Sequence, residues 1–176
     1  MMADQVRMIR GNKDMDWNKY LKPEDWDIVN SRVLPSLWYP LDTYVRCGAA
    51  TFQLLAGRNP EIARLRGRIR GKELFETTYK HILLDGDPMQ ALNSFVTLYG
   101  QLFNFSHLEF KKIEANHAYI SHNYDSSEPG NLPYCYQLMG HLDTLVEMTG
   151  GKKVRIEIIE KIWDGGKATV FDIQWI

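Results

Sequence analysis

Residues 132–176 have the sequence LPYCYQLMGHLDTLVEMTGGKKVRIEIIEKIWDGGKATVFDIQWI. Apolar residues lie three, four, seven, ten and eleven positions after Cys135, which is the spacing of one stripe along an α-helix. Pro133 suits the first turn of this helix, because a missing N–H costs nothing there. The stripe consists of Cys135, Leu138, Met139, Leu142, Leu145 and Val146. The polar positions off the stripe are predicted to face water: His141, Asp143 and Glu147.

After Gly150 and Gly151, which are typical of a helix end, the apolar spacing changes to a period of two. Residues 154–158 alternate between apolar and charged, and residues 164–166 (Asp-Gly-Gly) supply the positive φ angles that a tight turn requires. Residues 171–175 alternate again. The C-terminal quarter is therefore predicted to be a helix followed by a β-hairpin, whose apolar face must pack against another element.

The N-terminal half is predicted to be mainly helical. Residues 1–22 are polar and weakly patterned, so we expect a loose arm with a short strand around residues 5–9. Pro23 with the acidic residues that follow it indicates the start of a short helix. From Leu41 to Leu55, apolar and small residues recur at steps of four and three, which predicts a helix packed on another helix.

A further helix is predicted after Pro60. Its apolar residues lie on two rotated faces, and the change near Gly67 and Gly71 predicts either a bend or a junction of two helices. Asp87 and Pro88 then provide an N-cap and a first-turn proline for the next helix. The first of the two faces consists of Ile62, Leu65 and Ile69, and the second of Leu74, Phe75, Tyr79 and Ile82.

Alternating residues between positions 108 and 120 predict another β-hairpin before the C-terminal helix. The element order is therefore a helical first half, then strand, strand, helix, strand, strand. Strands joined by hairpins form an antiparallel sheet, so the sequence predicts an α+β fold in which helices cover the sheet. Residues 1–176 are predicted to form a single domain.

The composition limits the classes of partner. Hydrophobic residues make up 44% and charged residues 24%, as in ordinary globular proteins, and the net charge of -1 argues against nucleic acid and anionic membranes. No apolar run approaches the length that spans a bilayer. Cys47 and Cys135 fall in predicted helices, which indicates small core residues and favours a reducing, cytoplasmic setting.

No sequence motif typical of catalysis or metal binding occurs. The histidines lack helical metal-ligand spacing, and neither cysteine has a nucleophile motif around it, so no metal is predicted and an enzyme is the least supported alternative. His117 and His122 are five positions apart on a predicted strand and should point to opposite faces. Two or more of His81, His107, His122 and Cys135 would have to share a cleft to favour an enzyme.

The densest basic segment contains Arg64, Arg66, Arg68 and Arg70. On a helix the first and third share one face, and the second and fourth share another, about 160° away. One interpretation is a solvated helix; the alternative is an anion or cyclic-dinucleotide binder that uses the guanidinium groups. These arginines and residues 125–130 (DSSEPG) resemble the Arg-x-x-x-Arg and Asp-x-Ser-x-x-Gly elements of PilZ domains, which bind a cyclic dinucleotide. In that family the arginines precede a strand, whereas here they lie in a predicted helix.

Three further features occur together. Residues 65–68 (LRGR) open a long helix that runs through residues 77–79, and Asp87-Pro88 precedes the helix that contains Tyr99-Gly100. Gly140 lies in the C-terminal helix, which is followed by the closing hairpin. In these features residues 33–176 resemble a bacterial protein family akin to 4-vinyl reductase domains, haem nitric-oxide/oxygen domains and TRAPP vesicle-tethering subunits.

This resemblance implies a compact α+β domain that binds a small apolar molecule or a protein partner and performs no catalysis. Together with the lack of a catalytic cluster, it leads to the hypothesis of a non-enzymatic cytoplasmic sensor or adaptor that acts as a homodimer. The haem-binding relatives use a Tyr-x-Ser-x-Arg motif and an upstream histidine on a helix. Residues 119–123 (YISHN) have Asn123 where that motif has Arg, and residues 88–104 contain no histidine, so no cofactor is expected. The candidate residues for an apolar pocket are Phe52, Phe95, Tyr99, Cys135 and Met139.

Overall fold

The computed structural model describes residues 2–34, 36–83, 86–124 and 131–176, in which six α-helices and one four-stranded sheet form. The helices are α1 (Met2–Gly11), α2 (Pro23–Asn30), α3 (Leu41–Leu55), α4 (Pro60–Thr77), α5 (Pro88–Leu102) and α6 (Asn131–Met148). The strands are β1 (Ser106–Glu114), β2 (His117–Tyr124), β3 (Arg155–Glu160) and β4 (Thr169–Gln174). The predicted α+β class and the predicted order of strands around α6 are confirmed. No helix among the described residues combines the length and the apolar character needed to cross a bilayer.

The sheet is antiparallel, with the strand order β1-β2-β4-β3. Successive residues of a strand point to opposite faces, so each β2 residue on the inner face meets a β4 residue on the same face. The inner face carries the cross-strand pairs Ala118–Ile173, Ile120–Phe171 and His122–Thr169. All six of these residues have no solvent exposure, which makes this face the floor of a core.

The chain forms two compact units. Unit 1 comprises the described residues of Met1–Ala63 and Ser126–Tyr134, and unit 2 those of Arg64–Asp125 and Cys135–Ile176. In unit 1, α1 buries Val6 and Ile9. The expected loose arm with a strand around residues 5–9 is therefore wrong for residues 2–11, because their apolar side chains follow a helical spacing that α1 can bury. The single domain over residues 1–176 stays a prediction.

Helix α4 runs without interruption from Pro60 to Thr77, so the predicted bend or junction does not occur. Its two glycines let α6 approach closely. A Cβ atom at Gly67 would lie 2.0 Å from the carbonyl oxygen of Gln137, and one at Gly71 would lie 3.1 Å from the His141 ring. The glycines mark a helix–helix contact in unit 2, where the missing side chains allow the two backbones to meet.

The apolar face predicted from Ile62, Leu65 and Ile69 is not a core face. Leu65 is 55% exposed and Ile69 is 60% exposed. They lie about 160° around the helix axis from Gly67, on the side of α4 that points away from α6. The prediction failed because it assigned the core to the most apolar side chains, whereas α4 packs on α6 through glycines.

The polar residues of α6 correct a second prediction. His141 and Asp143 were expected to face water, but both are buried, at 8% and 1% exposure. They face α4, where Arg64 donates from Nε and Nη2 to the Asp143 carboxylate at 2.7 and 2.8 Å. Glu147 is exposed, as predicted, and accepts from Arg68 at 2.6 Å. Helix α6 is therefore buried on its apolar side and on its polar side. On the polar side, basic residues of α4 pair with the acidic residues of α6.

Candidate ligand-binding interior of unit 2

A column of aromatic rings follows α5 through the core of unit 2. Asp87 caps this helix by accepting from the backbone N–H of Met89 at 2.8 Å, as the Asp-Pro start predicted. Positions four apart on the helix then bring rings together, with centroids 5.8 Å apart for Phe95 and Tyr99 and 4.8 Å for Tyr99 and Phe103. Phe75 of α4 meets Phe95 edge-on at 5.9 Å. We call these four residues the aromatic column.

Next to the aromatic column lies a buried polar group, which we call the His122 cluster: Tyr99, His122, Cys135 and Thr169. The His122 ring meets the Tyr99 ring edge-on at 6.2 Å, and its Nδ1 lies 3.6 Å from Cys135 Sγ. Thr169 is the cross-strand neighbour of His122, and its side chain hydrogen-bonds to Cys135. The His122 imidazole is therefore surrounded by Tyr99 from α5, Thr169 from β4 and Cys135 from the first turns of α6.

The His122 cluster is electrically neutral at physiological pH. Burial lowers the pKa of His122 to about 4. Burial also raises the pKa of the Cys135 thiol to about 12, although the hydrogen bond with Thr169 opposes this shift. A thiol with that pKa is ionised in about one molecule in 10⁵ at pH 7, whereas a nucleophilic cysteine needs a substantial thiolate fraction. His122 and Cys135 lie together, but both are fully buried in the core. That the chain is not an enzyme stays a prediction.

The predicted pocket residues fall in both units. Phe95, Tyr99, Cys135 and Met139 belong to unit 2 and are at most 3% exposed. Phe95 and Tyr99 are in ring contact, and Cys135 joins them through His122. Phe52 lies on α3 of unit 1 and is half-buried. That these residues bind a ligand stays a prediction.

The arginine cluster of α4 divides between two sides, as the helical spacing predicted. Arg64 and Arg68 face α6, where they pair with Asp143 and Glu147. Arg70 pairs with Glu73 on its own helix. Arg66 is half-buried, and burial lowers the pKa of its guanidinium. The PilZ-like residues 125–130 lie outside the described residues, and the anion-binding role of the four arginines stays a prediction.

His122 and Thr169 were missed as site residues. The opposite orientation of the two β2 histidines is confirmed, because His117 bonds to Asp172 at 2.9 Å while His122 is fully buried. The sequence did contain a signal that His122 is buried, because it follows Ala118 and Ile120 at alternate positions of the strand and therefore shares their face. Nothing in the sequence indicates that Thr169 is its partner, because that depends on the register between β2 and β4.

The side chains of this structure do not fit haem as the haem-binding domains that the sequence resembles hold it. Helix α5 has Phe95 and Tyr99 as its buried ring positions and contains no histidine. On β2, Tyr119, Ser121 and Asn123 alternate with the buried inner residues, so they face away from the His122 cluster. Asn123 also lacks the positive charge of the arginine in that motif. In the described part of the chain, no group of three or more His, Cys, Asp or Glu residues is placed to hold a metal ion.

No family model matches this chain, and no curated protein matches it. Solved structures of H-NOX proteins do. A mutant H-NOX protein from S. oneidensis in the Fe(II) ligation state aligns with a TM-score of 0.67 at 11% identity, over 99% of this chain and 94% of that one. An oxygen-binding H-NOX domain related to soluble guanylate cyclases aligns with a TM-score of 0.63 at 16% identity, over 99% and 90%. At these identities the likeness establishes architecture and not chemistry: the chain has the fold of an H-NOX domain.

Proposed function

We propose that this chain is a non-enzymatic ligand-sensing domain, and that the interior of unit 2 binds a small, uncharged, apolar molecule. The observation that carries the proposal is the His122 cluster beside the aromatic column. Its aromatic faces, thiol and neutral imidazole offer no ionised group to a ligand. The H-NOX fold supports the proposal, because one of the solved domains with this fold is described as oxygen-binding.

The balance of solvation favours an apolar ligand over a charged one. A charged molecule that enters such an interior loses its hydration and finds no ion pair in return. An apolar molecule gains about 25 cal/mol for each Å² of its surface removed from water. The Thr169 hydroxyl already accepts from the backbone N–H of Ile162, so it adds little attraction for a polar ligand.

The test is a fluorescence titration of the full chain with 1-N-phenylnaphthylamine, a neutral apolar probe. Saturable binding is expected. Met139→Phe adds bulk one turn from Cys135 and should weaken binding at least about tenfold, which is about 1.4 kcal/mol. Met148→Phe makes the same change at the other end of α6 and should leave the affinity unchanged. Circular dichroism confirms that both variants are folded.

Three results would overturn the proposal. Fluorescence that rises linearly without saturation, or that is equally affected by the two Met→Phe variants, would leave the adaptor alternative, in which only a protein partner binds. A parallel titration with ferric haem is expected to give no sharp one-to-one Soret band, because α5 offers no histidine ligand. A sharp band would show that haem is the ligand after all.

A further inference from the structure

The buried thiol of unit 2 lies among other side chains with atoms that can bind a soft metal ion. His122 Nδ1 is 3.6 Å from Cys135 Sγ, and neither residue has any solvent exposure. Met139 follows Cys135 by four positions on α6 and is 3% exposed. Positions four apart share a helix face, and a long helical side chain leans back over the preceding turn, so the Met139 thioether is directed towards Cys135. We call Cys135, His122 and Met139 the soft-donor set.

The donor types of the soft-donor set select the metal. Thiolate and thioether sulfur favour Cu(I), and imidazole also binds copper, whereas Mg²⁺ and Ca²⁺ require oxygen ligands. Among the residues that the structure describes, no Asp, Glu or further Cys completes a metal-binding group of three with His122 and Cys135. One thiolate, one thioether and one imidazole therefore suit Cu(I) and not a hard cation.

The separation of the first two donors leaves room for an ion bound to both. Zinc, a first-row ion with the same filled d shell as Cu(I), bonds at about 2.3 Å to sulfur and at about 2.0 Å to imidazole nitrogen. With similar lengths and the angle of about 120° of a three-coordinate ion, the two donor atoms lie about 3.7 Å apart. The observed 3.6 Å between Cys135 Sγ and His122 Nδ1 therefore needs no large movement of either residue.

The net charge of the site separates Cu(I) from divalent ions. Once Cys135 loses its proton, its thiolate carries one negative charge, while the imidazole of His122 and the thioether are neutral. A monovalent ion cancels this charge, whereas Zn²⁺ would leave one positive charge in the core, which is costly. Thr169 supports the thiolate, because its side chain hydrogen-bonds to Cys135 and favours the ionised sulfur. The backbone N–H of Ile162 donates to the same hydroxyl oxygen, which leaves the hydroxyl proton for the sulfur.

We propose that Cys135, His122 and Met139 bind one Cu(I) ion, with Thr169 as a hydrogen-bond donor to the thiolate. His122 binds through Nδ1 and keeps its proton on Nε2. The ion replaces the thiol proton: Cys135–SH and Cu(I) give Cys135–S–Cu(I) and one released H⁺, and no electron is transferred. The site shares residues with the proposed ligand-binding interior, but it does not depend on an apolar ligand.

The test is an anaerobic titration of the full chain against the coloured copper(I)–bicinchoninate complex, which loses its colour as the protein withdraws the metal. The complex is added both to the folded chain and during refolding from urea, so that a closed core cannot keep the metal out. The wild type should withdraw one ion per chain. Cys47→Ala, which removes the other buried cysteine, in unit 1, should behave in the same way. Cys135→Ala should withdraw none.

The two other donors are tested by substitutions of similar size. His122→Gln and Met139→Leu should each weaken copper binding at least about tenfold, because each removes one ligand. Met148→Leu makes the same change at the other end of α6 and should leave the affinity unchanged. An equal concentration of Zn²⁺ should not compete. X-ray absorption at the copper edge should show sulfur and nitrogen neighbours, and circular dichroism confirms that the variants are folded.

No copper uptake by the wild type in either protocol would overturn the proposal. Uptake that Cys135→Ala leaves intact would also overturn it, as would equal affinities of the two Met→Leu variants, competition by Zn²⁺, or a copper spectrum with oxygen neighbours only. The apolar probe is titrated into the metal-free chain in parallel. Probe binding without copper binding would refute only this proposal, whereas copper binding without probe binding would refute only the proposed function.

Discussion

Replacing Gly140 by alanine should destabilise unit 2 strongly, because α4 and α6 meet at this position without room for a side chain. The added Cβ would lie 2.1 Å from the carbonyl oxygen of Arg64 and 2.7 Å from the backbone nitrogen of Arg68. Non-bonded heavy atoms are comfortable at about 3.5 Å. All the close atoms belong to backbone, so no side-chain rotation can relieve the contact, and the two helices must separate by more than about 1 Å.

Two costs add at this crossing. Overpacking a core costs about 1–3 kcal/mol, and occasionally more. Separation of the helices would also lengthen the paired hydrogen bonds between Arg64 and Asp143, whose carboxylate is almost fully buried. A buried charge that loses its partner is strongly destabilising. We expect a loss of about 3–5 kcal/mol, which for a chain of this size lowers the melting temperature by about 10 °C.

Thermal unfolding followed by far-ultraviolet circular dichroism provides the assay, and Gly100→Ala provides the control. Gly100 lies in α5, and a Cβ there would meet nothing within 4 Å. The same added methyl group should therefore stabilise by about 0.5–1 kcal/mol, because it limits the freedom of the unfolded backbone. Equal melting temperatures for the Gly140 and Gly100 variants would refute the close approach of α4 and α6.

Stability should also fall as the pH is lowered from about 6.5 towards 4. Burial holds the pKa of both His122 and His141 at about 4, whereas the unfolded chain takes up these protons from about pH 6.5. The unfolded state binds more protons in this window, so each histidine accounts for up to about 3 kcal/mol of lost stability. Urea unfolding of His122→Gln should show a flatter pH profile, while the exposed His81→Gln should match the wild type. Calorimetry with a cyclic dinucleotide should give no heat, because the two arginines that face α6 already carry ion pairs; saturable heat that Arg66→Ala and Arg70→Ala abolish would contradict this.

The element order was predictable because it depends on local periodicity. In residues 132–176 the apolar spacing changes from helical to alternating within a few residues of Gly150, and the structure changes from α6 to β3 at the same place. The cap at Asp87 is equally local, since the carboxylate and the backbone N–H it binds are two residues apart. Such signals need no knowledge of the rest of the chain.

The two failures on α4 and α6 have a common cause. Asp143 was assigned to solvent because it lies off the apolar stripe of α6, but its partner Arg64 is 79 residues earlier in the chain. Leu65 was assigned to the core because it is apolar, but the side of α4 that packs is the one with Gly67. Apolar periodicity detects packing between large side chains. It cannot detect a helix–helix interface in which glycines allow the close approach and ion pairs offset the cost of burying charged side chains.

The candidate site was predictable only in part, for a related reason. The positions of Tyr99 and Phe95 follow from the helical spacing of α5. His122 is brought to the site by strand pairing, and what it can bind depends on its charge state. With a pKa of about 4, His122 is a neutral imidazole next to the aromatic column and next to the Cys135 thiol, which is also neutral. The chain shares the fold of H-NOX domains, but at 11% identity that likeness concerns the backbone and not the enclosed side chains. Because function follows the side chains and not the backbone, the proposal of an uncharged apolar ligand rests on these side chains: such a ligand would enter this interior at the least cost in solvation.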